Sequence, residues 1–494
     1  MNAMVTYFIW FGRTDFGIWT PGRALVGLGL ALCLTGCVLA PAERKDEEKR
    51  LALAGSGFEK PFEQRTTLPE LPNEPTWQDL LHRAFLANGD LEAAYFEWAM
   101  AVSRIQQAGS YPNTPLALNF SYMFSGGRMK SFNRTTVTAG PDPMVDLAFP
   151  PKIYQAAKVA LDEARATGQK FAAAKFDLQR KVLNAWFDYA LMAERVRIAR
   201  GNLSLLRLIN ETAAGRVRAG AQQLDLLRAD VEQRRAEDEL RGMEAQLPQM
   251  QAMLNAMLAR APQAPLNPPA QIPPPRPLPA DDASLLTLAG ENDPELAGLA
   301  HRVHGREDAL ELARLQYVPD FNPTFGITGT ISQAVGLGLS IPTFLPKVQG
   351  MVKEAQADLR ATQAMYRQTR LDRAAQVVAT LYALRNSERQ AALFERQIIP
   401  AATRITDNTR QSYARGQMTF IELIEAQRTL LEVRLTAAEA RAAREKSLAD
   451  LEALLGTDVE TLGPAADSRP ASAPTTAPSA KAARQTTAPA GETQ

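Results

Sequence analysis

Apolar residues between positions 178 and 206 step by four and three: Leu178, Val182, Ala185, Tyr189, Met192, Val196, Ala199, Leu203 and Leu206. That rhythm is a heptad seam on a helix. It lies within a stretch from Lys152 to Arg216 that has no proline and, before its last turn, only Gly168 and Gly201. At 1.5 Å per residue such a helix spans on the order of 100 Å. Beyond Gly220, Leu240, Met243, Leu247, Met250, Leu254 and Met257 keep the same rhythm on a returning helix, where Pro248 is placed to produce a kink. A later stretch follows the pattern less strictly through Val377, Leu381, Leu384, Ala391, Ile398, Ala402 and Ile405, and then meets Gly416 and a second returning helix.

Four short segments have period two instead. Leu118, Phe120, Tyr122 and Phe124 alternate with Asn119, Ser121 and Met123, and Val145, Leu147 and Phe149 alternate with Asp146 and Ala148. Phe325, Ile327 and Ile331 alternate with Gly326, Thr328 and Thr330, and Val335, Leu337, Leu339 and Ile341 with Gly336, Gly338 and Ser340. Period two gives each strand one apolar face and one small or polar face. A membrane barrel with lipid outside and water inside accommodates this, and so does a soluble antiparallel sheet packed on a core. Four strands cannot close a barrel, so their edges need covering by further copies of the chain. The segments are short for crossing a membrane, and residues 125–143 leave room for more strand.

The elements come in one order, twice. Each half opens on a helix (Asn88-Gly89-Asp90-Leu91; Asn292-Asp293-Pro294-Glu295-Leu296) that ends near Tyr111-Pro112 or Tyr317-Val318-Pro319. Two strand segments follow, then the long helix, a glycine and the returning helix. The halves are residues 76–261 and 281–457. Between them, residues 262–280 hold nine prolines, a density that excludes helix and central strand and predicts an extended polyproline connector. Residues 458–494 turn to Ala, Pro and Thr and read as a disordered tail.

Composition sharpens this picture. Aromatic residues make up 7% of the chain, which suits long helices over a compact mixed fold. A formal net charge of +1 gives no reason to expect a nucleic-acid partner. At the start, Arg13 and Arg23 precede a thirteen-residue apolar run over 24–36, too short for a stop-transfer helix, which reads as the core of a signal peptide covering residues 1–36. Leu34-Thr35-Gly36-Cys37 looks like the lipobox of bacterial lipoproteins, making Cys37 the acylated first mature residue and 37–75 an anchor segment. Val38 behind it resembles lipoproteins sorted to the outer membrane. Cys33 would leave with the signal, so the mature fold would rely on no disulfide.

Candidate chemistry is sparse. Met243, Met250 and Met257 could relay soft metal ions through their thioethers, but they fall on seam positions that methionine commonly fills. His301 and His304 lie three apart on a helix, with no cysteine or third histidine nearby to complete a zinc site. No nucleophile elbow, phosphate-cradling loop or His-Asp-Ser pattern points to an enzyme, and no cofactor or metal is expected.

Strand pairs alternating with paired long helices, in two tandem copies behind a lipobox, resemble the outer-membrane efflux protein (TolC) family over residues 76–457. The resemblance implies a mainly α fold with a small membrane β-barrel. Antiparallel helices would form an α-helical tunnel, and four strands per protomer would build a trimeric twelve-stranded barrel. It implies a homotrimer in the outer membrane with its helices in the periplasm. That trimer would be the passive exit duct of a tripartite efflux system, with a periplasmic adaptor and an inner-membrane pump, the resistance-nodulation-division type being favoured. It further implies that Glu422 and Glu425, six and nine residues after Gly416, form acidic rings at the pore constriction. Tyr413 and Asp225 would hydrogen-bond as a tip latch. Met418 occupies the position where the family carries a latching Arg, leaving Arg415, Arg216 or Arg218 as substitutes. Arg218, Gly220, Arg415 and Gly416 would mark the tips where the adaptor docks. The rival is a lipid-tethered periplasmic coiled-coil scaffold or adaptor without a pore.

Overall fold

The computed structural model describes residues 39–461 except 66–67, 73, 112–115, 125–126, 128, 142–146, 279–280 and 331. Cys37, the signal segment and nearly all of the tail fall outside the described residues. Before the first half lies α1 (Arg44–Ala54); the half itself contains α2 (Trp77–Ala87), α3 (Gly89–Ala108), β1 (Leu116–Tyr122), β2 (Thr135–Pro141), α4 (Pro150–Arg218) and α5 (Gln223–Met257). The second contains α6 (Asp282–Asn292), α7 (Pro294–Leu315), β3 (Asp320–Thr328), β4 (Ser332–Ser340), α8 (Leu345–Leu393), a π turn (Phe394–Ile398), α9 (Ile399–Ala414) and α10 (Phe420–Leu455). Three helices of eleven residues each went unread in the sequence: α1, and α2 and α6, which precede the opening helix of each half.

Local chemistry places the helix starts. The Asn88 side chain accepts hydrogen bonds from the backbone N–H groups of Asp90 and Leu91 to begin α3. Asp293 accepts from Glu295 N–H to begin α7, with Pro294 in the first turn, where its missing N–H costs nothing. Pro150 and Pro151 open α4 in the same way, and it runs unbroken for 69 residues. Along it Leu178, Val182, Tyr189, Met192, Val196, Ala199, Leu203 and Leu206 are all buried. The seam read from the sequence is therefore the one that packs. Pro248 lies inside α5, which stays helical through it.

The seam of the second half departs from expectation. Val377, Leu381, Leu384 and Ala402 are buried, but Ile405 is 58% exposed. Pro400 has no N–H for the carbonyl four residues back, and the helix answers with a π turn in which Ile399 N–H reaches Phe394 O. The extra residue in that turn rotates everything beyond it. Thr406, Thr409 and Tyr413 join Ala402 on the buried face in place of Ile405.

The four strands form one antiparallel sheet in the order β1-β2-β3-β4, so the halves join edge to edge through β2 and β3. One strand expectation is overturned. The second strand is Thr135–Pro141; of the segment expected there, Val145 and Asp146 lie outside the described residues, and Leu147 makes an isolated bridge to Phe321. Thr135, Thr136 and Thr138 are β-branched and fit a pleat well, a signal lost when only large apolar residues are counted. The Phe149 region instead turns the chain into α4, where Asp320 accepts from Phe149 N–H at 3.0 Å and Lys152 Nζ at 2.7 Å. On one face of the sheet Phe120, Val137 and Ile327 align across strands, as do Leu118, Ala139, Phe325 and Val335. That face lacks protein cover: Phe120 is 72% exposed and Val335 85%.

Candidate functional site

Far along the chain from the sheet, the two long hairpins end side by side. Gly220 (φ +97°) follows the last turn of α4, and Gly416 (φ +78°) follows α9. These are the left-handed conformations that let the chain leave one helix and enter the next without a Cβ clash. The exposed side chains of Arg218 and Arg415 flank the two glycines.

Tyr413 joins the two hairpins. It is fully buried among Leu206, Ile209, Ala213, Ala229, Phe420, Leu423 and Ile424, with the Phe420 ring edge-on at 6.0 Å. Its hydroxyl donates to Asp225 Oδ2 at a long 3.4 Å, and the Arg216 guanidinium lies 4.2 Å from its ring centroid. Burial, reinforced by the Asp225 charge and opposed by Arg216, raises the phenol pKa and keeps it a neutral donor. Asp225 stands in the first turn of α5, where a carboxylate complements the helix dipole. Of the three arginines considered as stand-ins for the absent link at Met418, the structure brings Arg216 onto Tyr413.

The two acidic positions take different roles within the protomer. Glu422 completes a capping box: its carboxylate accepts from Thr419 N–H and Thr419 Oγ1, both at 2.8 Å, while Thr419 Oγ1 accepts from Glu422 N–H at 3.3 Å. Those bonds lower the Glu422 pKa. Glu425, one turn further and exposed, has its side chain free of any ion pair among the described residues.

A second polar cluster, absent from the sequence reading, sits midway up the bundle. The proline-rich connector is extended and packed down as a belt. Leu266 and Ile272 are buried, and Tyr189 Oη donates to Leu266 O at 2.8 Å. From this belt Arg276 enters a buried acidic pair on α10, with Nε 3.1 Å from Glu445 Oε2 and Nη1 3.0 Å from Glu452 Oε1. Trp77 of α2 lies 5.2 Å from its guanidinium. Burial raises the Glu452 pKa although Arg276 opposes it. Arg444 extends the cluster by bridging Glu445 and Glu388 of α8. The sequence carried one clue: Glu445 and Glu452 repeat at seven residues from Ala438 on the buried phase of α10.

Met250 and Met257 pack in the largest apolar cluster and Met243 in a neighbouring one, as seam residues do. A cavity of about 690 Å³ opens between α4, α7, α8 and α10. Its walls carry Arg180, Asp450, Asp293 and Arg373, which pair with one another or with adjacent residues. Among the described residues no helix is long and apolar enough to cross a membrane.

Comparison with known proteins agrees with this geometry. Residues 285–457 match the family model described as outer membrane efflux protein. The cobalt-zinc-cadmium resistance protein CzcC of Cupriavidus metallidurans is 24% identical over 288 residues, covering 57% of this chain and 67% of that protein. The fold matches the outer membrane protein VceC from Vibrio cholerae with a TM-score of 0.65 at 17% identity, covering 78% of this chain and 96% of that one. The outer-membrane channel OprN gives 0.64 at 17% identity over 78% and 91%. CusC, solved in a study of transmembrane channel formation, gives 0.62 at 18% identity over 77% and 92%.

Proposed function

We propose that this chain is a member of the outer membrane efflux protein family, whose model matches residues 285–457, and that three copies assemble into one continuous passive exit duct in the outer membrane. One observation carries this reading. Among the described residues the sheet has two unpaired edges, β1 and β4, and an apolar face without protein cover. Bare strand edges are a pairing hazard unless another chain covers them, and in lipid only a closed barrel satisfies them. Three sheets joined β4 to β1 give twelve antiparallel strands, with Phe120, Leu118 and Val335 toward lipid and Gly336, Gly338 and Thr324 toward the lumen. A pore-free scaffold would leave that face in water.

The other assignments follow from this assembly. Leu39 N–H donates to Gly109 O at 2.7 Å, which ties the chain two residues beyond Cys37 to the sheet end of α3. Glu425 and the capped Glu422 of three copies ring the axis near the tip. The Tyr413–Asp225 contact restrains that tip, and the loops with Arg218, Gly220, Arg415 and Gly416 receive a periplasmic adaptor coupled to a pump of the resistance-nodulation-division type. The duct catalyses no reaction. The relative named for cobalt, zinc and cadmium resistance makes divalent metal cations the favoured cargo.

The test uses purified full-length protein. It is expected to run as a heat-modifiable trimer and to conduct ions in planar bilayers; a monomer that forms no pore overturns the reading. Deleting the gene is expected to sensitise the host to cobalt, zinc and cadmium. Unchanged metal tolerance with a sensitised response to organic toxicants would move the cargo to small organic molecules.

A further inference from the structure

Beside the belt, α4, the π turn and α10 enclose a cavity of about 430 Å³. That volume lies within the range of small-molecule sites. Its apolar wall comes from Ile198 of α4, Ile399 at the start of α9 and Ala437 of α10. Ile198 also packs with Ile272 of the belt and with Ala438, so the cavity adjoins the belt. At Gly201 the α4 wall carries no side chain, and a Cβ placed there would meet nothing within 4 Å. The mouth is open at that point.

Charge around the hollow does not balance. Three guanidinium groups, Arg197, Arg434 and Arg441, face two carboxylates, Glu194 and Glu395. Glu194 is 4% exposed and is taken by Arg197, whose Nε donates to Oε2 at 2.8 Å and whose Nη2 donates to Oε1. Arg441 approaches Glu194 only at 3.6 Å, too far for a hydrogen bond. Its Nε lies 3.2 Å from Glu395 Oε1, but at an angle that leaves this enclosed N–H without a hydrogen bond. Arg434, seven residues before Arg441 and so on the same face of α10, is half-buried and has no partner among the described residues.

A partly buried guanidinium with unspent donors favours an anion, and its planar fork suits a carboxylate. The neighbouring cavity of about 410 Å³, between the belt prolines and α8, makes no such demand. There Arg396, Arg441 and Arg444 face an equal number of glutamates, Glu388, Glu395 and Glu445. We infer that the cavity beside the π turn binds a small organic monoanion, with its carboxylate on Arg434 and its apolar body against Ile198 and Ile399. An inorganic anion would leave the apolar wall wet, and a cation would meet the surplus of arginine. π turns recur at functional sites in long helices, and this one brings Glu395 and Ile399 to the wall. Every lining residue comes from one protomer, so the site stands whether or not three copies form a pore.

Fluorine NMR of the full-length protein in lipid nanodiscs tests the site. The probe is para-trifluoromethylbenzoate, with the matching benzamide as the neutral control and the benzylamine as the cationic one; empty nanodiscs measure partition into lipid. The benzoate is expected to bind at least about tenfold more tightly than either control. Arg434→Gln is expected to erase that preference, and Arg434→Lys, which keeps the charge and loses the fork, to retain it at lower affinity. Gly201→Phe, which fills the mouth, is expected to weaken the benzoate at least about tenfold, while Arg396→Gln in the balanced cavity changes it less than about twofold. Equal affinity for the three probes, uptake no greater than by empty nanodiscs, or a benzoate preference that survives Arg434→Gln overturns the assignment. Should a variant fail to fold, the comparison of the three probes on the unaltered protein decides alone. A sample that selects the benzoate but conducts no ions would refute the pore and leave the anion site standing.

Discussion

The two long helices, α4 in the first half and α8 through α9 in the second, occupy matching places in the repeat and are built differently. α4 is uninterrupted and buries Leu183, Trp186, Phe187 and Tyr189 along its middle. Its counterpart contains Pro400 and a π turn, and beyond them it buries Ala402, Thr406 and Thr409 before reaching Tyr413 near its end. Large interlocking side chains make one orientation far better than its neighbours, whereas small residues and threonine hydroxyls lose little when they slide. The repeat has thus kept one plan with two packings: an uninterrupted frame helix, and a limb whose buried face changes phase at the π turn.

The contrast can be broken by substitution. The largest effect is expected where the belt meets the limb: Arg276→Ala leaves Glu445 and Glu452 buried without their shared cation, a loss of about 3–5 kcal/mol, read as a lowered denaturant midpoint. The double variant Arg276→Met with Glu452→Gln should recover part of it. The pH dependence has a defined sign. Glu452 has its folded pKa raised by burial, so the folded chain binds the proton more readily than the unfolded one. Its contribution is present below the ordinary glutamate range and is lost as pH rises toward the raised value. Glu452→Gln should flatten that part of the stability profile.

Next in size is the frame itself. Trp186→Ala empties a site that is 1% exposed and should cost about 3–5 kcal/mol. Thr406→Ala on the limb removes hydroxyl bonds to Ala402 O and Ala426 O and should cost only about 1 kcal/mol. Comparable losses from both, by the same unfolding measurement, would erase the distinction. At the tip, Tyr413→Phe and Asp225→Ala should each raise single-channel conductance, with a stability change of about 1 kcal/mol or less for Tyr413→Phe. Unchanged conductance in both would remove the latch. The smallest effect is expected at Thr419→Ala, which undoes the capping box of α10 at a cost of about 1 kcal/mol and frees Glu422 to titrate closer to an ordinary glutamate.

Part of the local geometry was legible in the sequence. Gly220 and Gly416 announced the two tip turns because a reversal between long helices needs a left-handed residue, and the structure gives both positive φ. Tyr413 and Asp225 were paired by resemblance and lie within 3.4 Å. Glu422 was read as lining an axis, but three residues after Thr419 it is also the natural partner of a capping box, and within one protomer that local bond is the one made. β2 falls within 125–143, where the sequence left room for strand, but its span was not read because threonines carried its pattern, and Ile405 was misplaced because a heptad extrapolated across Pro400 assumes a regular turn.

The sequence by itself determined the elements whose causes are local and periodic: the α4 seam, the capped starts at Asn88 and Asp293, the glycine turns and the repeated order of parts. Only the tertiary structure decided which long-range partners meet. It seated Arg276 of a proline run between Glu445 and Glu452, set β2 against β3, and rotated the limb beyond Phe394. Periodicity records which face of a helix is buried, whereas burying a charge, closing a sheet or shifting a phase depends on what the opposite chain segment offers, and that is not written at either position alone.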